Sequence, residues 1–268
     1  MTLIALTSAK GAPGVTTTAL ALALEWPRPC LLVEADPAGS SSILAGWLRG
    51  EQRHERGLID LVDHHRHGDL AGGLHRASFD LIGSSARCLP GLTSPAQIGP
   101  VSQLWPHIAH ALRGLEGTGV DVLVDAGRAG SVGFATPILD AADVNVLVSR
   151  TDLPAIAAAR GRAQLLKEQL SGAAAEADSL GLVLIGPGRP YVAREISPRV
   201  AIPTIGEIPW LPSGAEHFSL GAKPETRGRR RESAAMRREA RGLATALQAL
   251  AQHRRTRLDP GRLVNPTT

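Results

Sequence analysis

The residue types best suited to chemistry are concentrated in one short run near the start of the chain. The run reads Lys10-Gly11-Ala12-Pro13-Gly14-Val15-Thr16-Thr17. Gly11 and Gly14 allow the tight backbone turn that aims N–H groups at a phosphate, and a helix N-terminus directly after the turn adds its dipole to the attraction. Thr16 is placed to hold Mg²⁺ through its hydroxyl group. The run therefore predicts a phosphate-binding loop.

One residue of this run is unsuited to binding phosphate. A phosphate loop carries a lysine just after its last glycine, and this chain has Val15 there. That lysine contacts the β- and γ-phosphates and offsets charge in the transition state. A charge-assisted hydrogen bond contributes about 1.5–3 kcal/mol, so its loss weakens nucleotide binding on the order of ten- to a hundredfold. We expect hydrolysis to suffer more, because the missing charge acts where negative charge is redistributed away from water.

A phosphate loop must lie between a strand and a helix, and the rest of the chain supplies that setting. Apolar runs rich in β-branched residues alternate with longer Ala/Leu-rich stretches of helical period, which predicts a doubly wound α/β fold with a mostly parallel sheet flanked by helices. The predicted strands are Leu3–Thr7, Cys30–Glu34, Phe79–Ile82, Val120–Asp125, Val144–Ser149, Leu180–Ile185 and Thr204–Glu207. The predicted helices are Thr16–Glu25, Ser41–Trp47, Leu58–Asp63, Val101–Leu115, Phe134–Asp140, Pro154–Ser171, Gly214–Ser219 and Arg229–His253.

The chain has no internal repeat and no clear linker, which favours a single domain. We predict one P-loop domain over residues 1–257, including a basic C-terminal helix, and a flexible tail over residues 258–268. Surface loops are predicted at Arg49–Arg56 and Gly68–Gly73, where polar residues and glycine interrupt the periodic pattern.

The loop resembles the deviant phosphate loop of the ParA/MinD family of P-loop ATPases, which reads K-G-G-x-G-K-[ST]-T. Lys10 matches the family's signature lysine, which in that family reaches across a dimer to the partner's phosphates. Only three of the 29 basic residues are lysines, so a lysine at this position is uncommon by composition alone. The chain departs from the pattern at Ala12, which replaces the second glycine, and at Val15.

Three further motifs follow in the family's order. Asp36, in the segment Leu32–Gly39, aligns with the acid that orients water and Mg²⁺, while Glu34 replaces the family's first aspartate. Asp125 ends a run that resembles the Walker B strand, and Gly127 and Arg128 follow it as switch II. The segment Ile205–Pro209 resembles the part of the family fold beside the adenine. The strand Leu180–Ile185 is followed by Gly186, where the family has a base-contacting asparagine.

The resemblance assigns roles to these positions. It implies ATP and Mg²⁺ as cofactors and a homodimer as the working state. By this resemblance the catalytic residues are Lys10, Asp36 and Asp125, and the metal is held by Thr16, Asp36 and Asp125. The nucleotide-binding residues are Lys10, Gly11, Ala12, Pro13, Gly14, Val15, Thr16, Thr17 and Pro209.

The residues leave the function open between three interpretations. The first is a nucleotide-dependent protein that positions or partitions DNA or a large assembly, with weak or partner-activated ATP hydrolysis in which Lys10 supplies the missing charge. The second is an inactive pseudo-ATPase that serves as a DNA- or protein-binding scaffold or regulator. The third is a metabolic P-loop relative such as a ligase-like synthetase.

Positive charge is concentrated near the C-terminus. The formal net charge is only +4, yet residues 227–257 hold ten arginines against the two acids Glu232 and Glu239. Such a segment is a candidate for binding polyanions, and non-specific DNA fits the resemblance. The candidate DNA-binding residues are Arg229, Arg230, Arg231, Arg237 and Arg238. The apolar residues of the segment, at helical spacing, are equally consistent with a helix docked on the sheet with a solvated basic face.

Other classes of protein are excluded or ranked lower. No apolar run approaches the roughly 20 residues of a membrane span, and no basic segment precedes an apolar one at the N-terminus, so we expect a cytoplasmic protein. The Ala/Leu face of the basic helix is too small for membrane targeting, so a membrane surface is a less favoured partner than DNA. Cys30 and Cys88 form no CxxC pair, which argues against a zinc site or a disulfide framework.

Overall fold

The computed structural model describes residues 1–11, 14–170 and 179–258 of the chain. Within them, eight strands form one sheet. The strands are β1 (Leu3–Ser8), β2 (Cys30–Glu34), β3 (Phe79–Asp80), β4 (Ala86–Leu89), β5 (Asp121–Arg128), β6 (Val144–Arg150), β7 (Leu180–Ile185) and β8 (Thr204–Ile208). The α-helices of these residues are α1 (Val15–Glu25), α2 (Asp60–Arg66), α3 (Leu70–Ala77), α4 (Ile98–Gly114), α5 (Thr136–Ala141), α6 (Leu153–Leu170), α7 (Ala193–Val200), α8 (Pro212–Leu220) and α9 (Arg227–Leu258). A π-helical turn covers Ile43–Trp47.

The sheet has the order β3-β4-β2-β5-β1-β6-β7-β8, and every pair except the antiparallel edge pair β3–β4 is parallel. Strand β1 is therefore central, with β5 on one side and β6 on the other. Because ligands of open α/β sheets bind beyond the carboxyl ends of the strands, the loop after β1 lies where a ligand site is expected. The predicted fold class is confirmed.

The apolar sequence of the central strands follows from burial on both faces. All six residues of β1 are buried, as a parallel strand covered by helices requires. One apolar cluster on the sheet includes Trp105 of α4 and Ile156 of α6. The other contains residues of α1 and α9 and also Phe218 of α8. The Ala/Leu sequence of α1 favours a helix, which ends at Glu25, because the next residue, Trp26, is extended and precedes Pro27.

The long helix α9 is docked on the sheet. Its buried residues include Met236, Leu243 and Leu247. Arg237 and Arg241 each lie 2.5 Å from the carboxylate of Glu25, at the end of α1. The side chain of Glu25 is 9% exposed, so this paired charge is nearly enclosed. Apolar burial and these ion pairs together hold α9 against α1.

Several predicted elements need correction. The predicted loop at Gly68–Gly73 is wrong from residue 70 onward, because Asp69 caps α3 by accepting a hydrogen bond from the Gly72 N–H at 3.1 Å. Strand β3 is shorter than predicted, and the sequence did not predict β4 or α7. The missed β4 has an arginine among only four residues, which weakens its apolar signal. The predicted tail, apart from Leu258 at the end of α9, lies outside the described residues.

Among the described residues, none of the helices combines the length and the apolar character needed to cross a bilayer.

Candidate functional site

The loop after β1 leads directly into α1. Gly14 precedes the helix with φ +99°, a left-handed conformation that glycine adopts without strain. No side chain caps the helix, so its first-turn N–H groups remain suited to an anionic ligand. Lys10 and Gly11 are exposed. Ala12 and Pro13, also predicted to bind the nucleotide, lie outside the described residues.

Thr16 and Asp125 are brought together although 109 residues separate them. The Thr16 hydroxyl donates a hydrogen bond of 2.5 Å to Asp125 Oδ2. The other carboxylate oxygen, Oδ1, accepts a hydrogen bond of 3.0 Å from the Gly127 N–H. This contact joins the first turn of α1 to strand β5, because register places Asp125 opposite Leu6 of β1. Two of the three predicted metal-binding residues are thus in direct contact.

The third predicted metal-binding residue, Asp36, follows β2 and lies against Gly127. A Cβ atom at Gly127 would fall 2.3 Å from the carboxyl carbon of Asp36. The backbone N–H of Ala38 donates to Asp36 Oδ1 at 2.9 Å, which orients the carboxylate. Asp36 and Asp125 therefore approach each other from the neighbouring strands β2 and β5.

The environment of Asp125 changes its acidity. Burial, aided by the charge of Asp36, raises the pKa of Asp125 to about 6, although the hydrogen bonds from Thr16 and Gly127 lower it. A bound cation would lower this pKa again, because its positive charge would favour the ionised form of both carboxyl groups.

Glu34 has a different position from the two aspartates. It is 4% exposed and accepts hydrogen bonds from the Ser41 hydroxyl, from the Ile43 N–H at 3.2 Å and from the Gly91 N–H at 3.4 Å. Burial raises its pKa to about 7, although these hydrogen bonds lower it and the charge of Asp125 raises it. The carboxyl of Glu34 thus ties the segment after β2 to the end of β4, and it does not line the cavity described next.

A cavity of about 410 Å³ opens beside the loop. This volume falls within the usual range for small-molecule sites. Its polar end contains residues of the loop, of the start of α1 and of the ends of β1, β5 and β6 together with Asp36, and its other end is apolar. The polar end is lined by Ser8, Gly11, Gly14, Thr16, Thr17, Thr18, Asp36, Gly127, Arg128 and Arg150. The apolar end is lined by Val15, Ile185, Ile208, Pro209, Trp210, Leu211, Pro212, Ala215 and Met236.

Val15 belongs to the apolar core as well as to the cavity wall. Its side chain is 6% exposed and lies in the same buried cluster as Ile208 and Met236. The position where a phosphate loop carries its lysine is therefore occupied by a packed side chain, which presents no charge to the cavity.

Lys10 lies outside this cavity. It lines a second, smaller cavity of about 120 Å³ together with Val148, Ser149 and Asp152. Gly11 and Arg150 line both cavities, so they form the wall between them. The predicted catalytic residues Asp36 and Asp125 are brought together, whereas the third, Lys10, is exposed and lines the second cavity.

Several cavity residues were not predicted as site residues, among them two arginines and a tryptophan. Arg128 ends β5, Arg150 ends β6, and Trp210 follows Pro209. Trp210 is 40% exposed and lies close to Gly186, where a Cβ atom would be 3.5 Å from its ring. An available signal was their position at the carboxyl ends of strands, where ligands of this fold class bind.

The predicted DNA-binding arginines do not form one free surface. Arg237 pairs with Glu25, Arg229 lies 3.2 Å from the carboxylate of Glu216, and Arg238 pairs with the adjacent Glu239. Arg230 donates to the carbonyl of Pro224, while Arg231 is exposed. The basic face of α9 that remains open is therefore smaller than the arginine count indicates.

Solved structures share this fold. The cell division ATPase MinD of Pyrococcus furiosus has a TM-score of 0.68 and 19% identity, covering 93% of this chain and 100% of that chain. MinD of Pyrococcus horikoshii OT3, complexed with Mg-ADP, has a TM-score of 0.68 and 18% identity, covering 94% and 98%. A ParA family ATPase of Chlorobium tepidum TLS has a TM-score of 0.64 and 17% identity, covering 94% and 100%. No protein-family model and no curated protein sequence matches the chain. The chain has the fold of the MinD and ParA ATPases.

Proposed function

We propose that this chain, which has the MinD/ParA fold, is a ParA/MinD-like cytoplasmic protein that uses nucleotide binding to position or partition DNA or a large assembly. The observation that carries the proposal is the cavity of about 410 Å³ beside the loop, which joins a polar end containing Asp36 to an apolar end. A nucleotide needs both ends, because its phosphates require N–H groups and cations while its base requires apolar contact.

ATP and Mg²⁺ are the proposed ligands. The Thr16 hydroxyl and the carboxylates of Asp36 and Asp125 are oxygen donors of the kind Mg²⁺ prefers. The short Thr16–Asp125 contact supports this fit, because it holds a hydroxyl and an anionic oxygen together at the start of α1. When bound, Mg²⁺ would offset the charge of the phosphates. Pro209 and Trp210 would contact the base, since they line the apolar end.

Weak or partner-activated hydrolysis follows from Val15. The buried valine supplies no charge to the phosphates, so a group from elsewhere must supply it for hydrolysis to proceed at speed. In the proposed homodimer, Lys10 would reach the partner's phosphates. Its exposure on the outer side of the loop supports this role.

A second candidate function is favoured by the same residue. If no charge reaches the phosphates, the chain is a pseudo-ATPase that serves as a DNA- or protein-binding scaffold or regulator. The packing of Val15 among core residues supports this alternative, because the position is integrated into the fold as an apolar one. In either case the exposed part of α9 is the proposed surface for non-specific DNA. A membrane surface is a less favoured partner for this part of α9 than DNA.

Calorimetric titration with Mg-ATP tests the proposal on the wild type, Lys10→Ala and Val15→Lys. Measurable binding by the wild type that Lys10→Ala abolishes supports the nucleotide-dependent function. Absence of binding by the wild type, with binding restored by Val15→Lys, supports the pseudo-ATPase. Absence of binding by all three folded proteins contradicts a nucleotide site at this cavity. ATP turnover by the same proteins, with and without duplex DNA, measures whether hydrolysis occurs.

A further inference from the structure

Two arginines bracket the phosphate loop from opposite sides. Arg128 is the last residue of β5 and Arg150 is the last residue of β6, and these are the two strands that flank β1. Register places Arg128 opposite Ser8, at the end of β1, while Val148, two residues before Arg150, lies opposite Ser8 on the other side. The loop that follows Ser8 therefore leaves the sheet between two guanidinium-bearing strand ends.

Both arginines line the main cavity at its polar end. Arg150 also lines the second cavity beside Lys10 and Gly11, which places it against the loop itself. Both residues are exposed, so their charged groups are accessible to a ligand that enters from solvent.

Neither guanidinium is neutralised by a carboxylate within the described part of the chain. Arg128 contacts the Ser131 hydroxyl at 3.4 Å, and Arg150 lies over the Trp210 ring with its guanidinium carbon 5.2 Å from the ring centroid. Many other arginines in the described part of the chain form ion pairs, for example Arg87 with Asp80 and Arg113 with Asp143. An unpaired guanidinium in a concave site favours an anion, and its planar set of donors matches phosphate oxygens.

We propose that Arg128 and Arg150 bind the phosphates of a nucleoside triphosphate and supply the positive charge that Val15 does not. This inference rests on the proposed function, since it assigns new residues to the same nucleotide site. The charge comes from strand ends on both sides of the loop, within the same chain, and it does not require Lys10 of a second copy. The contact of Arg150 with the Trp210 ring places this arginine where the polar end of the cavity meets the apolar end.

Equilibrium titration of Mg-ATP, Mg-ADP and AMP tests this assignment on Arg128→Ala, Arg150→Ala and the double variant. We expect each single substitution to weaken Mg-ATP binding about tenfold or more, because a charge-assisted hydrogen bond is lost. AMP binding should change less than about threefold, since the proposed contacts are to the outer phosphates. Arg150→Lys should retain part of the affinity, because it keeps the charge.

Arg189→Ala is the matched control. The Arg189 guanidinium carbon also lies over the Trp210 ring, at 5.9 Å from its centroid, but Arg189 lines neither cavity. The Arg189→Ala variant should therefore bind Mg-ATP as the wild type does.

A Val15→Lys background gives a second check, because a lysine at the loop should reduce the effect of Arg150→Ala on Mg-ATP binding.

The outcomes separate this inference from the proposed function. If the wild type binds Mg-ATP and both arginine variants bind it equally well, the assignment of Arg128 and Arg150 is overturned while the nucleotide site stands. An equal loss of ATP and AMP binding would also overturn the assignment, because it would indicate that the substitutions disturb the apolar end, where the base would bind. If the wild type binds no nucleotide, this assignment and the nucleotide-dependent function both fail.

Discussion

The carboxyl group of Asp36 packs directly on the backbone of Gly127. A Cβ atom at Gly127 would lie 2.3 Å from the carboxyl carbon and within 2.6 Å of both oxygens, distances that real side chains do not reach. Gly127 also has φ +66°, and its carbonyl accepts a hydrogen bond of 2.9 Å from the Thr7 hydroxyl. One glycine thus joins β1, β5 and the acid after β2 at the candidate site.

Gly127→Ala should therefore displace Asp36 and weaken Mg-nucleotide binding at least about tenfold. It should also lower the free energy of unfolding by roughly 1–3 kcal/mol, because an alanine would be strained at this positive φ and crowded by Asp36. Gly119→Ala is the control, since Gly119 has φ +74° and a Cβ atom there would have no neighbouring atom within 4 Å. Calorimetry and urea unfolding measure both effects. Equal binding by the two variants would show that the Asp36 contact does not support the site.

The buried carboxyl of Glu34 should make stability depend on pH. Its pKa is raised from 4.5 to about 7, so between these values the folded protein holds a proton that the unfolded chain has released. Stability from this group is therefore present below pH 4.5 and falls as the pH rises to about 7. Glu34→Gln cannot titrate, and it should gain up to roughly 3 kcal/mol relative to the wild type between about pH 5 and pH 8.

Urea unfolding at about pH 5 and pH 8 measures this difference for the wild type and Glu34→Gln. Glu51→Gln removes the same charge from an exposed side chain, and its stability relative to the wild type should not change with pH. Parallel pH profiles for the wild type and Glu34→Gln would contradict the prediction.

The anchoring of the C-terminal part of α9 to the rest of the fold should depend on Arg255. Arg255 and Arg113 both pair with Asp143, which also accepts a hydrogen bond from the Leu3 N–H at 2.7 Å. Burial acts to raise the pKa of Asp143, but the hydrogen bond and charge of these arginines outweigh it and lower the pKa. Arg255→Ala should cost about 1–3 kcal/mol at pH 7, because it removes one partner of a buried carboxylate.

The cost of Arg255→Ala should shrink as the pH falls below about 4, since stability from a carboxyl with a depressed pKa is fully present above the unfolded pKa and is lost as the pH falls through the folded one. Thermal unfolding at about pH 7 and at about pH 3.5 checks both parts. Arg238→Ala, whose partner is the adjacent Glu239, should change stability by less than about 0.5 kcal/mol. A cost as large as that of Arg255→Ala would refute the anchoring role.

Binding of duplex DNA should fall when Arg229, Arg230 and Arg231 are replaced together by alanine. Binding through phosphates releases counterions, so the affinity should drop steeply with salt and the variant should have a shallower slope. The triple variant of Arg53, Arg66 and Arg194 loses the same charge from exposed positions outside α9 and should bind as the wild type does. Fluorescence anisotropy at several salt concentrations measures the slopes, and a flat response of the wild type to salt would rule out this mode of binding.

Much of the site could be predicted because its residues lie in local motifs. The glycines and threonines of the loop depend on backbone geometry within a few residues. Asp36 follows the apolar strand β2 and Asp125 lies in the apolar strand β5, and both strands can be recognised from composition. The role of Glu34 could not be recognised, because its partners Ser41, Ile43 and Gly91 are brought to it by the fold. The sequence likewise did not show that the predicted DNA-binding residue Arg237 pairs with Glu25, 212 residues away.

The α/β class, the candidate phosphate loop between a strand and a helix, and the valine at the position of its lysine can all be read from the sequence. Local periodicity and turn chemistry encode these features, since they depend on residues near one another in the chain. The tertiary structure alone decided which side chains meet. The order β5-β1-β6 brings Arg128 and Arg150 to the two sides of the loop, and the packing of α1 against α9 buries Val15. Long-range strand order and helix packing set these positions, and no local pattern carries that information.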